Sequence, residues 1–275
     1  MQPQQQVLGV LDIAGIVCRV ASRDEGLSTL LSPRYADFVS DAIPQISLQV
    51  ELTARPPEDA AARWTGPYAR IGERDGELCI EGAGFRGAFD EHSGEGWIAQ
   101  PPDPAPLETF LTAICAGRLL RQGGFLLHAA AIAAGEGAYV FFGPSGSGKT
   151  TVAELIEEGV ITDEIAAIRR DGAGYLVSAL PWRGQRLSAP LAGLFRLRQA
   201  RETAFTRLSP VETLRRLLPC VFFSRADASE VGRFLEIGGG LVERVPCHEM
   251  RFTPDGSFWA AIPGRGEQEH HDQSV

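Results

Sequence analysis

Short segments in which apolar and polar residues alternate dominate the first hundred residues of the chain. In residues 46–52 (ISLQVEL) every second residue is apolar, which is the period of a strand with one buried face. Farther along, Asp75-Gly76 separates two short apolar runs and Ser93-Gly94 separates two more, so each pair predicts a hairpin turn. We therefore predict a β-rich, largely antiparallel region over residues 7–100, preceded by a disordered segment at residues 1–6.

The pattern changes at a proline-rich segment, residues 101–106 (PPDPAP), which indicates a boundary or a rigid connector. The apolar residues after it follow helical spacing: Leu107, Phe110, Leu111, Ile114 and Cys115. Runs of strand and helix pattern then continue to the end of the chain, which is typical of the α/β class. We predict a second domain over residues 107–264 and a disordered tail over residues 265–275.

Two neighbouring buried strands are predicted in the second domain. Residues 125–134 (FLLHAAAIAA) and 138–143 (AYVFFG) are almost entirely apolar, and a Gly-Glu-Gly turn separates them. In a hairpin closed about Glu136, the numbers of paired residues add up to about 272. The partner of His128 then lies near position 144, where a glycine-rich segment begins.

That segment matches the phosphate-binding pattern G-x-x-x-x-G-K-[ST] between a buried strand and a predicted helix. The predicted nucleotide-binding residues are Gly143, Pro144, Ser145, Gly146, Ser147, Gly148, Lys149, Thr150 and Thr151. Glycines allow backbone N–H groups to surround phosphate oxygens at the positive end of the helix. We expect Lys149 to neutralise the β- and γ-phosphates of ATP and the Thr150 hydroxyl to bind Mg²⁺.

Lysine usage supports this assignment of Lys149. The chain has 26 basic residues, and Lys149 is its single lysine; the others are arginine. A narrow, flexible ammonium can follow a phosphate oxygen where a planar guanidinium does not fit. The one lysine therefore stands where the chemistry of the loop requires it.

An acid pair, Asp163-Glu164, follows the predicted helix and ends a short apolar segment, VITDE. Strand, helix and strand so closely linked predict a βαβ unit that brings Asp163 to the edge of the sheet where the loop lies. There Asp163 can bind Mg²⁺ or accept the proton of an attacking hydroxyl, and Glu164 is a second candidate acid. The alternative is an ordinary solvated acid pair after a strand.

Two further residues are candidates for the site. A histidine in an apolar strand is commonly a core residue, but its hairpin register gives His128 a catalytic or supporting role beside the loop. Arg183, in the segment PWRGQR, is a candidate phosphate contact, because arginine often stabilises the charge of a transferred phosphoryl group. The alternative for Arg183 is a surface turn.

Composition excludes some partners. A net charge of −9 gives the chain no overall affinity for nucleic acid or anionic membranes. The arginine-rich stretch over residues 196–216 is interpreted as a set of solvated faces. No apolar run approaches the roughly 18 residues of a membrane span, and the N-terminus has no signal-peptide pattern, so we expect a cytoplasmic protein. Homo-oligomerisation is left open.

Three segments, LLHAAAI, FFGPSGSGKTT and ITDE, resemble in order and spacing the catalytic domain of HPr kinase/phosphorylase, a relative of the nucleotide core of phosphoenolpyruvate carboxykinase. The similarity is greater to bacterial HPr-kinase-like proteins of peptide-modification clusters and extends over residues 107–260. It implies a mixed β-sheet core, use of ATP and Mg²⁺, and phosphoryl transfer to a serine-type hydroxyl.

The resemblance also implies residue roles. Asp163 would be the base, Thr150 would bind Mg²⁺, Glu164 stands where the family usually has a second Asp, and His128 matches the family's histidine. The leading hypothesis is a kinase that phosphorylates a hydroxyl of a peptide, protein or small molecule. The alternatives are a P-loop ATPase or switch in which Glu164 activates water, and a nucleotide-binding scaffold of a biosynthetic complex.

Overall fold

A computed structural model describes residues 6–24, 27, 33–53, 69–82 and 84–263. The protein is a mixed α/β protein with two mixed β-sheets. Its contacts divide the chain into two units, Met1–Arg118 and Leu119–Val275. The division falls inside helix α1 (Pro104–Arg121), shortly after the prolines that predict a boundary. The predicted disordered ends lie outside the described residues, apart from Gln6, which begins the first strand.

The first unit contains a seven-stranded sheet with the order β1-β2-β3-β7-β6-β5-β4. Its strands are β1 (Gln6–Ile13), β2 (Ile16–Ser22), β3 (Ile46–Leu52), β4 (Arg70–Arg74), β5 (Glu77–Gly82), β6 (Phe85–Asp90) and β7 (Glu95–Gln100). The β-rich prediction is confirmed. The sheet is mixed, however, because β3 pairs in parallel with both β2 and β7. Asp75 and Gly76 form the predicted turn, and both have positive φ angles.

The second unit contains a nine-stranded sheet and the remaining helices. Its strands are β8 (Gly124–Ala134), β9 (Gly137–Phe142), β10 (Val160–Thr162), β11 (Ile165–Asp171), β12 (Gly174–Ala179), β13 (Ser188–Gln199), β14 (Ala204–Arg207), β15 (Val221–Phe222) and β16 (Cys247–Phe252). The helices are α2 (Lys149–Ile156), α3 (Pro210–Leu217) and α4 (Ala228–Arg244). No helix of the described part of the chain is long and apolar enough to cross a membrane.

Strand β8 lies between the two strands of the predicted βαβ unit. It pairs antiparallel with β9 on one side and with β10 and β11 on the other. Strands β9 and β10 are therefore parallel to each other without being neighbours. Strand β13 adds in parallel to β9, and β16 adds in parallel to β13. The carboxyl ends of β9, β10, β13 and β16 consequently meet at one edge of the sheet, where ligands commonly bind in α/β proteins.

Both faces of this sheet are covered, which explains the continuous apolar runs of β8 and β9. On one face the core includes Phe125, Phe142, Leu217 and Phe234, and so involves helices α3 and α4. On the other face it includes Tyr139, Phe141, Val152 and Phe195, and so involves helix α2. The packing of α2 on this second face fixes the loop that precedes it at the carboxyl end of β9.

Candidate nucleotide site

The glycine-rich loop connects the end of β9 to the first residue of α2, as the sequence predicts. Gly146 and Gly148 have φ angles of +76° and +104°, a region that favours glycine. A Cβ atom on Gly148 would lie 2.7 Å from the ring of Phe252, whereas one on Gly146 would meet nothing within 4 Å. The first N–H groups of α2 have no partner within the helix. The end of the loop can therefore bind an anion.

Helix α2 is short and ends three residues before Gly159. The last helical residue is Ile156, and Glu157 follows it with a φ angle of +60°. Gly159, a favourable residue for ending a helix, has a φ angle of +72° and lies beside β8: a Cβ atom on it would be 2.1 Å from the Ala133 carbonyl oxygen. The short connection to β10 depends on this close approach.

Lys149 lies over the loop from the helix side. Only 6% of its surface is exposed, and its Nζ donates hydrogen bonds to the carbonyl oxygens of Gly143 (3.0 Å) and Pro144 (3.2 Å). Burial lowers the pKa of Lys149, while the nearby Cys220 thiol and Glu164 carboxylate oppose that shift. A phosphate oxygen could replace the two carbonyl acceptors and compensate the buried charge far better than they do.

His128 lies on β8, between the loop and the acid pair. The last residue pair of the β8–β9 ladder is Ala129 with Phe142. The residue numbers of each pair therefore add up to 271, where the sequence predicts about 272. On its other edge His128 pairs with Ile165, directly after the acids. Burial and the charge of Lys149 lower the pKa of His128, and Glu164 opposes them. Lys149, His128 and Glu164 are thus close enough to affect one another electrostatically.

Asp163 and Glu164 form a bend between β10 and β11, and the carboxylate of Asp163 is exposed to solvent. Thr162 organises this bend although the sequence analysis did not identify it. Its hydroxyl donates to the carbonyl oxygen of Arg183 (2.5 Å) and accepts the backbone N–H groups of Glu164 (3.3 Å) and Ile165 (3.2 Å). The side chain is 1% exposed. A threonine in an apolar strand directly before two acids is the signal that would have found it.

Arg183, the candidate phosphate contact, pairs with an acid in this structure. Its guanidinium lies 2.7 Å from Oε2 of Glu164, and both side chains are about two-fifths exposed (41% and 44%). The backbone N–H of Gln185 bonds to the Ile161 carbonyl oxygen (3.1 Å), which holds this segment against β10. A phosphate contact of Arg183 stays a prediction.

The arginine-rich stretch is not simply a set of solvated faces. Arg196, Arg198 and Arg216 line a cleft of about 410 Å³ whose other wall is formed by loop residues 144–147. Glu249 of β16 lies among them, 2.9 Å from Arg196 and 3.7 Å from Arg198. The sequence analysis missed this cluster because pairing between distant strands brings Arg196, Arg198 and Glu249 to the loop, and Arg216 comes from helix α3.

The residues around the loop suit magnesium. Among the described residues no three His, Cys, Asp or Glu side chains form a ready-made metal site. Mg²⁺ typically takes only one or two protein oxygen ligands besides substrate phosphates and waters. The hydroxyl of Thr150 and the carboxylate of Asp163, both on exposed residues of the same sheet edge, are ligands of that kind.

The sequence matches no family model and no curated protein.

Proposed function

We propose that this protein is an ATP- and Mg²⁺-dependent kinase that transfers the γ-phosphoryl group to a hydroxyl, of serine type, in a peptide, protein or small molecule. The observation that carries the proposal is the position of β8 between β9 and β10, which brings Lys149, His128 and the acid pair to one edge of the sheet. The same arrangement supports a core of the HPr kinase and phosphoenolpyruvate carboxykinase type.

In this proposal the chain's residues position the nucleotide and the attacking hydroxyl. The loop and Lys149 would hold the phosphates. The Thr150 hydroxyl and one carboxylate oxygen of Asp163 would hold Mg²⁺, which would neutralise phosphate charge and leave the other Asp163 oxygen to act as base. The hydroxyl oxygen forms a bond to the γ-phosphorus as the bond to the bridging oxygen of ADP breaks, and the carboxylate of Asp163 takes the hydroxyl proton. His128, kept neutral near pH 7 by its lowered pKa, can hydrogen-bond a phosphate oxygen or the acceptor.

The ion pair of Glu164 with Arg183 favours a kinase over an ATPase. In an ATPase of this design Glu164 would have to activate water, but its carboxylate is already paired with a guanidinium. Arg183 can instead orient Glu164 and lie ready for the transferred phosphoryl group. Hydrolysis of ATP without transfer to an acceptor is therefore the result that would favour the ATPase instead.

Incubation with γ-labelled ATP, Mg²⁺ and a library of serine-containing peptides and small alcohols tests the proposal. We expect label on an acceptor; release of label only as free phosphate would support the ATPase. Asp163→Asn should lower transfer by about 10²- to 10⁴-fold, because the general base is lost, and should leave ATP binding largely intact. Asp171→Asn, an exposed acid at the end of β11, is the matched control. Unchanged transfer in Asp163→Asn would remove Asp163 from the mechanism.

A further inference from the structure

The cleft beside the loop is separate from the residues proposed to transfer phosphate. It is lined by loop residues 144–147, by residues 196–199 of β13, and by Arg216 and Glu249. Lys149, His128 and Asp163 are not among its lining residues. Its volume of about 410 Å³ lies in the range of small-molecule sites. The loop thus has a proposed catalytic side towards β8 and β10, and a cleft on the side of β13.

The side chains of the cleft suit a planar polar group. Glu249 pairs closely with Arg196, at 2.9 Å, and lies farther from Arg198, at 3.7 Å. The Arg198 side chain is 65% exposed, so the plane of its guanidinium is accessible to a ring. Among the described residues Nε of Arg216 has no hydrogen-bond acceptor although it is buried. Planar guanidinium groups can stack on a base, and a carboxylate can accept hydrogen bonds from the hydroxyls of a ribose.

The distance to the acid pair decides between a nucleoside and an acceptor. Strand β13 lies three strand spacings from β10, about 14 Å across the sheet. An attacking hydroxyl must come within about 3 Å of its base, so a hydroxyl held in the cleft itself could not reach Asp163. A nucleoside triphosphate with its phosphates on the loop extends over a distance of that order.

We infer that the cleft binds the nucleoside end of the nucleotide, with the base against Arg198 and Arg216 and the ribose near Glu249. This inference rests on the proposed function, because it takes the triphosphate to lie on the loop. It assigns residues of β13, β16 and α3 to nucleotide recognition. The γ-phosphoryl group then faces β8 and β10, which leaves that side open for the acceptor.

Photolabelling maps the base directly. The full chain is irradiated with 8-azido-ATP and Mg²⁺, and the labelled peptides are identified by mass spectrometry. We expect attachment within residues 196–199, or at Arg216 or Glu249, and its loss in the presence of excess ATP. Attachment within residues 160–186 instead would overturn the inference.

Calorimetric titration with ATP and with inorganic tripolyphosphate separates the nucleoside contacts from the phosphate contacts. Arg198→Ala and Arg216→Ala should each weaken ATP binding about fivefold to thirtyfold and change tripolyphosphate binding less than about twofold. Arg215→Ala, an exposed neighbour on α3 outside the cleft, should change neither. Equal losses for both ligands, or no loss for either, would refute the cleft assignment. Failure of the wild-type chain to bind either ligand would instead overturn the proposed function and the inference together.

Discussion

The hydroxyl of Thr162 provides a sharp test of how the acid pair is positioned. Thr162→Val removes the hydroxyl and keeps the shape of the side chain, so the Arg183 carbonyl and the N–H groups of Glu164 and Ile165 lose their partner. Each unpaired buried group costs about 1 to 3 kcal/mol; the bond to the Ile165 N–H is buried, and the other two are partly buried. We expect the free energy of unfolding to fall by about 3 kcal/mol, which lowers the melting temperature by roughly 6–12 °C.

The same substitution should separate binding from transfer. Thr162 makes no hydrogen bond to the glycine-rich loop among the described residues, so the dissociation constant of ATP should change little. The bend that carries Asp163 loses its anchor, and a displacement of about 1 Å at a reacting group can cost about 100-fold in rate. Urea denaturation followed by circular dichroism measures the stability, and transfer of labelled phosphate at saturating ATP measures the rate.

Thr162→Ser is the matched control, because it keeps the hydroxyl and removes one buried methyl group. We expect it to cost about 1 kcal/mol and to transfer phosphate at close to the wild-type rate. The reasoning would be refuted if Thr162→Val were as stable and as active as Thr162→Ser, since the three hydrogen bonds would then contribute nothing to the bend.

Two further predictions concern the loop and the histidine. Gly148→Ala should destabilise the protein by about 2 to 4 kcal/mol and abolish ATP binding, because it combines a positive φ angle with a clash against buried Phe252. Gly146→Ala should cost only about 1 kcal/mol of backbone strain. Equal losses of stability and of ATP binding in the two variants, measured by thermal unfolding and titration, would contradict this. Because the pKa of His128 is lowered from 6.5, the unfolded state binds more protons once the pH falls below that value, so part of the stability present at pH 7 should be lost as the pH falls below about 6.5. His128→Gln should reduce that slope of unfolding free energy against pH, and an unchanged slope would mean that His128 titrates as it does in the unfolded chain.

Local features were predictable because neighbouring residues encode them. The Asp75-Gly76 turn depends on two residues that tolerate positive φ angles, and the β8–β9 hairpin depends on two apolar runs around a glycine turn. The spacing of the phosphate-binding pattern placed the loop between β9 and α2 correctly. The residue numbers paired in the β8–β9 hairpin add up to 271 where about 272 was expected, because the position of a turn fixes pairing only to within a residue when both strands are uniformly apolar.

The arginines and Thr162 were not predictable in the same way. A run of apolar residues shows that a strand is buried, but it does not show which strand lies beside it. The pairing of β13 with β9 depends on how helices α2 and α3 cover opposite faces of the sheet, which is a property of packing between distant segments. Arg196 and Arg216 therefore looked like solvated residues until the sheet brought them to the loop.

By itself the sequence determined that a glycine-rich segment with the pattern of a phosphate-binding loop lies between a strand and a helix, that the only lysine of the chain stands in it, and that two acids follow the next strand. These features depend on residues close together in sequence: on the conformations that glycine allows, on side-chain chemistry, and on a helix too short to place the next strand at another edge of the sheet. Only the tertiary structure decided that His128 lies between them, that Thr162 holds the acids, and that Arg183 pairs with Glu164. Those contacts depend on the order of the strands in the sheet. That order is set by the burial of both faces of the sheet, and no local sequence pattern predicts it.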